Sequence, residues 1–432
     1  MELRLLKGTN DYLPKEQIIR SRIKEILTET FELYSYRPLE TPILEFYDIL
    51  ASKYAGGAEI LKETYNLTDQ GERKLALRYD LTVPLSRVIG MNPHLKMPFK
   101  RYEIGKVFRD GPVKLGRVRE FTQCDVDIIG IKSMQAEAEL IALANDVFNR
   151  LNIDVKFEIN NRKILSGILL QSGFSDEDLP SAILSLDKLK KIGRVGVEAE
   201  LEEKGLKGEP LEKSFKLLDK TGSTSEILKF LSDSITQELA LDGLKEIEEL
   251  FKLLKIMSIP DDKVKFIPSL ARGLEIYTAT VFEAFAIKSP ITSSLAGGGR
   301  YDEIIRKFLQ TDKLFPAVGI SFGLEPIYET LLSLDEKIDE KNRVLVISIK
   351  SDEIALQITS KLRSENIITE YDFRQKGVSK SLDYANTEKF TWIIIIGPKE
   401  VKERKYTLKN METGEENKIS VKEIINTINN QP

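Results

Sequence analysis

The spacing of apolar residues changes several times along this chain, and each change restricts the fold. Residues 15–36 have helical spacing, and segments with strand-like spacing follow them. The segment 163–259 is rich in Leu, Lys and Glu at helical spacing, whereas strand signals return at 264–285. We therefore predict one domain, formed by residues 1–162 and 260–330, that is interrupted by a helical insertion at 163–259.

The last part of the chain has a third pattern. After a charged linker at 331–342, buried strands are predicted at 344–349 and 391–397, with a helix at 354–364 between them. Apolar strands that alternate with helices are typical of a small parallel or mixed sheet with both faces covered. Residues 343–432 are therefore predicted to form a separate α/β domain.

Shorter patterns predict individual elements. A strand is predicted over 37–46, where Pro38 and Pro42 confine it to a sheet edge or an interface. The segment Ala296–Asp302 predicts a tight Gly-rich turn that opens a helix near residue 303. Further predictions are a strand at 73–79, a helix at 81–89, two strands between 100 and 130 joined by a turn at 110–116, and a helix at 135–151.

Composition excludes several classes of function. The 432 residues carry 64 Lys+Arg and 68 Asp+Glu, a net charge of −4, which excludes a globally basic nucleic-acid wrapper but not a local basic groove. One Cys and one His exclude a disulfide framework and a His/Cys zinc site. His94 is predicted in a solvated loop and Cys124 in the core. An enzyme of this composition is expected to use arginines and carboxylates.

The sequence also restricts where the protein is expected to work. No apolar stretch approaches the roughly 18 residues of a membrane span. The first residues contain no apolar segment of the kind found in secretory signals. A cytoplasmic location without a membrane partner is therefore expected.

Residues 119–127 carry the most informative alternation. In a strand, alternate side chains share a face, which predicts one mixed polar face: Arg119, Phe121, Gln123, Asp125 and Asp127. The opposite face, with Cys124, Val126 and Ile128, suits a core. Two interpretations of the mixed face remain open, namely a binding site and a solvated surface with an incidental aromatic residue.

A binding site made of these residues has a definite chemistry. An arginine at the base of the loop can grip a phosphate, Phe121 can stack on a base, and Gln123 and Asp127 can hold polar or cationic groups. Arg109 alternatively forms a salt bridge with Glu103 or Asp110. Arg272, which precedes a strand, is alternatively a surface charge. The glycines at 297–299 match neither a P-loop nor a dinucleotide fingerprint.

These segments together resemble the class II aminoacyl-tRNA synthetases, and among them the histidyl-tRNA synthetase family. The resemblance implies an α+β fold: an antiparallel sheet flanked by helices, a helical insertion, and a C-terminal α/β anticodon-binding domain. It also implies a homodimer. The segments that carry it are Lys7–Asp11, the strand around Pro42, Phe108–Asp127, Ala271–Tyr277, Ala296–Asp302, Val318–Glu325 and residues 343–432.

The resemblance also implies a reaction and its residues. Histidine and ATP, with Mg²⁺ carried by the ATP, would give histidyl-adenylate, which is then transferred to histidine tRNA. The chain itself would provide no metal site. The implied residues are Arg109 and Arg117 at the phosphates, Phe121 at adenine, Arg272 at the α-phosphate and at histidine, Asp80, Thr82 and Gln123 at the amino-acid end of histidine, and Asp127, Tyr277 and Tyr301 around its pocket.

Three positions depart from the family pattern. Pro326 stands where class II enzymes carry an arginine that grips the γ-phosphate, a role for which Arg117 and Arg300 are candidate replacements. The first turn of a helix tolerates a proline, so the fold is expected to survive. Asp110–Gly111 stands where the family often has an acidic residue that recognises adenine, so that role is unassigned here. Glu275–Ile276 replaces the usual Asp-Tyr before the pocket tyrosine.

These departures leave two alternatives to an active synthetase. One is a regulatory protein related to the synthetases, with a role in histidine biosynthesis. Such relatives lack the anticodon domain and tend to lose the site arginines, whereas residues 343–432, Arg109 and Arg272 are present here. The other is an adenylating paralogue that activates a different substrate or no longer uses tRNA, which Pro326 and Ile276 keep open.

Overall fold

The computed structural model describes residues 2–51, 61–113, 117–272, 276–334, 342–374 and 376–430. The chain divides into two compact units, Met1–Glu336 and Lys337–Pro432. The predicted turn residues 114–116 and most of the predicted linker lie outside the described residues, as do residues 273–275. In the described part of the chain, no helix has both the length and the apolar character needed to cross a membrane.

A mostly antiparallel sheet organises the first unit. Its eight described strands follow the order β1-β5-β6-β11-β10-β9-β7-β8, with parallel pairing only at β1–β5 and β7–β8. A smaller sheet has the order β2-β4-β3. The strands are β1 (Arg37–Pro38), β2 (Leu44–Phe46), β3 (Asn66–Thr68), β4 (Lys74–Leu77), β5 (Phe99–Phe108), β6 (Glu120–Ile129), β7 (Val155–Asn161), β8 (Val264–Phe266), β9 (Thr280–Ala286), β10 (Ala296–Arg300) and β11 (Ala317–Gly323).

Long helices cover one face of the large sheet. Phe31 and Phe148, from two different helices, both pack against Phe322 of β11, with ring centroids 5.6 and 5.8 Å away. Phe322 pairs across the strands with Cys124, so the even-numbered face of β6 belongs to this core. The helices of this part are α1 (Pro14–Leu33), α2 (Tyr47–Leu50), α3 (Thr82–Met91), α4 (Gln135–Arg150), α11 (Ile304–Phe308) and α12 (Leu324–Ser333).

Residues 162–256 form a helical region that follows β7. Two of its helices approach closely at Gly167, where a Cβ atom would lie only 2.5 Å from that of Ala240. Each helix buries one apolar stripe, as the amphipathic spacing of the sequence predicts. The helices are α5 (Arg162–Ser172), α6 (Leu179–Leu186), α7 (Leu189–Glu203), α8 (Glu209–Leu218), α9 (Thr224–Ser234) and α10 (Glu238–Ile256).

The second unit is a small α/β structure. Its described sheet has the order β13-β12-β14-β15-β16, parallel around β12 and antiparallel beyond β14. Val344, Leu345, Ile393 and Ile394 are fully buried, because helices lie on both faces of the central strands. The elements are β12 (Arg343–Ser348), α13 (Asp352–Ser364), β13 (Ile368–Tyr371), α14 (Val378–Thr387), β14 (Trp392–Ile396), α15 (Pro398–Glu403), β15 (Tyr406–Asn410), β16 (Glu416–Ile419) and α16 (Val421–Asn429).

Three predicted elements differ from the structure. The strand predicted over 37–46 is two short strands in different sheets, since the segment leaves the large sheet after Pro38. The strand signal at 264–285 marks two separate strands, β8 and β9. The predicted Gly-rich turn at 296–302 is wrong, because residues 296–300 form the buried strand β10. A Cβ atom at Gly298 would lie 2.0 Å from the Gly319 carbonyl oxygen, so the glycine there permits close strand contact.

Candidate functional site

The face of the sheet opposite the α1 and α4 helices carries a polar cavity. Its floor is the odd-numbered face of β6, where Asp125 and Asp127 point away from the core formed by Cys124 and Val126. The cavity is small, with a volume of about 40 Å³. Its lining includes Thr82, Asp125, Asp127, Tyr277, Tyr301 and Ser321.

Glycines on the neighbouring strands make room for charged side chains above the sheet. Gly319 pairs with Asp127 across the β6–β11 ladder, and a Cβ atom there would lie 2.0 Å from the Asp127 Oδ1 atom. At Gly297, a Cβ atom would lie 2.0 Å from Nη1 of Arg272. The glycines therefore allow a carboxylate and a guanidinium to lie flat over the strands.

Asp127 belongs to a buried network of charges. Arg101 on β5 places Nη2 2.7 Å from the Asp127 carboxylate, and the Tyr301 hydroxyl donates a hydrogen bond to the same carboxylate. Burial raises the pKa of Asp127, while the charge of Arg101 opposes this shift. Burial also raises the pKa of Tyr301 well above its usual value. Arg101 was not predicted as a site residue from the sequence. It lies fully buried on β5, directly opposite Asp127, and is the main counter-ion of that carboxylate.

Asp125 is the second buried carboxylate of the cavity. Burial and the neighbouring Asp127 raise its pKa to about 7, against the opposing effects of Arg101 and of a hydrogen bond with Ser321. Asp125 was predicted on the mixed face of the strand, without a role. It did not single out Ser321, whose hydroxyl accepts a 2.8 Å hydrogen bond from the Gln123 amide.

Asp80 and Thr82 lie at the beginning of α3, beside the cavity. The Asp80 carboxylate accepts backbone hydrogen bonds of 3.0 Å from Thr82 and Val83, which fixes its position at the helix N-terminus. Burial raises the pKa of Asp80, whereas these bonds and the charge of Arg109 lower it. Because the charge of Arg109 lowers the pKa of Asp80, this loop arginine acts electrostatically on a carboxylate beside the cavity.

Arg109 is held by aromatic rings. Its guanidinium carbon lies 4.2 Å from the ring centre of Tyr79 and 5.0 Å from that of Phe121, in cation–π geometry. Among the described residues no carboxylate forms an ion pair with it, and the alternative of a salt bridge with Glu103 or Asp110 is not observed. Glu103 pairs instead with Arg78, and Asp110 with Arg119. The positive charge of Arg109 therefore remains available to an anion.

Arg272 lies at the other side of the cavity. Its guanidinium carbon is 5.4 Å from the Tyr277 ring centre, and Nη1 is 3.8 Å from the Glu283 carboxylate. That Nη1 atom is buried and donates no hydrogen bond to any described residue. Burial raises the pKa of Tyr277, and the charge of Arg272 opposes the shift. The alternative of an ordinary surface charge does not fit a buried, unsatisfied donor.

The remaining predicted residues lie outside the lining of the cavity. Arg117 forms a 3.1 Å ion pair with Glu63, which also accepts a hydrogen bond from Tyr79. Pro326 lies in the first turn of α12, which forms despite the proline. Arg300, a candidate replacement for the missing arginine, is buried in a two-pronged pair with Glu137 at 2.6 and 2.7 Å. It is therefore not available to a phosphate.

The arrangement suits a small ligand that carries a positive and a negative charge, together with a second, anionic ligand beside it. Carboxylates of β6 can receive cationic or N–H groups, while Arg109 and Arg272 offer positive charge to carboxylate or phosphate oxygens. Within the described ranges, no group of three His, Cys, Asp or Glu side chains is arranged to hold a metal ion.

Comparison with known proteins identifies the family. A family model described as Histidyl-tRNA synthetase matches residues 8–327, well over half of the chain. The chain belongs to the histidyl-tRNA synthetase family. A second model, described as Anticodon binding domain, matches residues 341–431. The predicted family and the predicted α+β fold class are therefore confirmed.

Curated relatives of this histidyl-tRNA synthetase family member match it over nearly their full length. A Shouchella clausii protein named Histidine--tRNA ligase 2 is 46% identical, over 95% of this chain and 96% of that protein. Histidine--tRNA ligase 1 of Bacillus anthracis is 45% identical, over 99% of this chain and 100% of that protein. A solved histidyl-tRNA synthetase from Nostoc sp. PCC 7120 has a TM-score of 0.87 at 28% identity, covering 99% of both chains.

Proposed function

We propose that this chain is a histidine–tRNA ligase, which activates histidine with ATP and transfers it to histidine tRNA. The observation that carries the proposal is the acid-lined cavity with the buried, unsatisfied Arg272 Nη1 atom at its side. A buried guanidinium donor without a hydrogen bond is costly unless a ligand accepts from it. Family membership and near-complete coverage of relatives named as histidine–tRNA ligases support the same assignment.

Histidine would bind within this cavity. Asp127, with Tyr277 and Tyr301, would receive the imidazole, since a carboxylate and two phenols match its N–H and nitrogen groups. Asp80 and Thr82 would hold the amino-acid end together with Gln123. Arg272 would pair with the carboxylate of histidine, which is the group that reacts.

ATP would bind beside it, against the loop that follows β5. Arg109 would contact the α-phosphate, Arg117 the outer phosphates, and Phe121 would stack on adenine. Mg²⁺ would arrive on the phosphates and neutralise part of their charge. A carboxylate oxygen of histidine then attacks the α-phosphorus, and the bond to the pyrophosphate oxygen breaks. Arg109 and Arg272 stabilise the charge on phosphorus, so the step needs no general base.

Other parts of the chain would serve tRNA and assembly. We propose residues 1–162 and 260–330 as the catalytic domain, 163–259 as a helical insertion, 331–342 as a linker and 343–432 as the domain that binds the anticodon. The match of residues 341–431 to an anticodon-binding model supports the last assignment. The proposal includes a homodimer working in the cytoplasm.

Two assays test the proposal on the full chain. Histidine-dependent exchange of pyrophosphate into ATP reports adenylate formation, and attachment of histidine to its tRNA reports transfer. We expect both activities. Absence of exchange would favour the regulatory role, to which the loss of the arginine at Pro326 points. Exchange without charging would indicate a paralogue that no longer uses tRNA, and exchange with another amino acid would indicate a different substrate.

A further inference from the structure

Asn160 is a fully buried polar side chain on β7 that the proposed reaction does not use. Its amide nitrogen Nδ2 donates a 2.8 Å hydrogen bond to each of two backbone carbonyl oxygens, those of Pro268 and Leu270. These acceptors lie 108 and 110 residues further along the chain. Because a carbonyl oxygen can only accept, the two partners fix the orientation of the amide.

The two carbonyl groups belong to residues 268–272, which follow β8 and end at Arg272. These residues form neither a helix nor a strand, so no regular ladder of backbone hydrogen bonds holds them. The anchored carbonyl of Leu270 lies only two positions before Arg272. The Asn160 amide therefore connects the backbone that carries Arg272 to the large sheet.

The guanidinium of Arg272 has few contacts of its own that could fix its position. Its Nη1 atom donates no hydrogen bond to a described residue, and the Glu283 carboxylate is 3.8 Å away. The contact with the Tyr277 ring, at 5.4 Å from the ring centre, is compatible with many orientations of the guanidinium. A head group held this weakly depends on the backbone that carries it for its position.

The anchored segment also packs against a tyrosine of the cavity. Leu270 belongs to a buried apolar cluster with Tyr277 and Val281. Val281 in turn pairs with Asn160 across the β7–β9 ladder. The strand, the segment before Arg272 and the cavity tyrosine are therefore packed together around the Asn160 amide.

We propose that Asn160 is a positioning residue for the adenylation step, whose two hydrogen bonds determine where the Arg272 guanidinium lies. The proposal deepens the proposed function and rests on it. Asn160 would contact neither histidine nor ATP. It would act on the transition state through Arg272, because a displacement of a catalytic group by about 1 Å can lower a rate about 10²-fold.

The chemistry of asparagine explains why a polar residue lies at this depth. An apolar side chain on β7 would avoid the cost of burying an amide. However, it would leave two buried carbonyl oxygens, those of Pro268 and Leu270, without these donors. The Nδ2 atom of asparagine carries two hydrogens, one for each carbonyl.

Asn160→Ala removes both donors and leaves Arg272 in the chain. In histidine-dependent pyrophosphate exchange it should lower kcat about tenfold to hundredfold and change the KM for histidine less than about threefold. Asn161→Ala is the matched control, since Asn161 is also fully buried on β7 and also forms two hydrogen bonds, with the Lys163 backbone and the Glu246 carboxylate. It should lower stability in urea comparably but change kcat less than about twofold.

A double-mutant cycle tests whether the effect passes through Arg272. Arg272→Ala removes the group that Asn160 positions, so Asn160→Ala should lower kcat less than about twofold further in that background. An independent packing defect would instead multiply the two losses, and the double variant would fall about tenfold or more below Arg272→Ala. A merely structural role of Asn160 would not depend on the presence of Arg272.

The outcomes of these measurements are distinguishable. An unchanged kcat in Asn160→Ala, an equal loss in Asn161→Ala, or multiplied losses in the double variant each overturn the positioning role, while exchange by the wild-type chain leaves the proposed function standing. A wild-type chain without exchange overturns both proposals. If Asn160→Ala does not fold, Asn160→Asp replaces it, because it keeps the shape and offers at most one donor hydrogen. A loss of kcat below about threefold in that variant then counts against the proposal.

Discussion

The two faces of strand β6 meet opposite physical demands. On one face, Cys124 and Val126 are fully buried against helices, and close packing alone satisfies them. On the other face, Asp125 and Asp127 are almost as buried, yet their surroundings raise the pKa of both carboxyls. The first face stabilises the fold in every state of the protein. The second is unfavourable when empty and becomes favourable only with a ligand.

This contrast explains why one strand can serve both purposes. The antiparallel ladder to β5 and β11 fixes the backbone of β6 on both sides. Since the packed face holds the strand in place, the polar face can keep unsatisfied groups without losing its geometry. Substitutions on the packed face should therefore change stability, and substitutions on the polar face should change binding and catalysis.

The largest effect on stability is expected on the packed face. Phe322 is fully buried between Phe31 and Phe148, so Phe322→Ala should lower the free energy of unfolding by about 3–5 kcal/mol. Urea denaturation followed by circular dichroism measures this change. Leu332→Ala, which removes an exposed apolar side chain from α12, is the matched control and should cost little. A loss similar to that of the control would show that this face is not a closely packed core.

The largest effect on catalysis is expected at Arg272. Arg272→Ala removes the buried donor beside the cavity and should lower histidine-dependent pyrophosphate exchange roughly 10²–10³-fold, with a smaller loss of histidine binding. Stability should change little, because Nη1 donates no hydrogen bond to a described residue and its ion pair with Glu283 is long, at 3.8 Å. Arg306→Ala, which breaks a half-buried ion pair with Glu303, is the control. Exchange rates equal to wild type would remove Arg272 from the mechanism.

Asp125 lies on the polar face but should also change stability, because its ionisation depends on pH. Its pKa of about 7 in the folded protein lies above the usual value near 3.9, so the folded state binds its proton more tightly than the unfolded state does. The stability that results is present below about pH 4 and is lost as the pH rises through 7. The Asp125→Asn variant has no carboxyl to ionise at this position and therefore does not lose this stability. Without ligand, its free energy of unfolding should rise relative to wild type by on the order of 2 kcal/mol between pH 5 and pH 8. Parallel stability curves, measured by urea denaturation across this range, would contradict the burial cost.

The packed face could be predicted from the sequence more fully than the polar one. Alternation along β6 is local, so it placed Cys124 in the core and Asp125 and Asp127 together on the other face. Arg101 and Ser321 come from other strands, and Ser321 is 198 residues away from its partner Gln123. The glycines at 297–299 were wrongly predicted to form a turn, because their neighbours also come from distant parts of the sequence. What they permit is close contact with β11 and with Arg272, neither of which is visible in local spacing.

The smallest effect is expected at Pro326, which lies in the first turn of α12 and outside the lining of the cavity. The family carries an arginine there, and Arg300 cannot replace it because Glu137 holds its guanidinium. Pro326 is partly exposed in the first turn of α12, so we expect this position to accept an arginine side chain. Pro326→Arg should lower the KM for ATP about threefold to tenfold and leave the KM for histidine unchanged. Pro326→Ala separates the added charge from the lost ring, and an equal change in both variants would assign the effect to the backbone instead of the guanidinium.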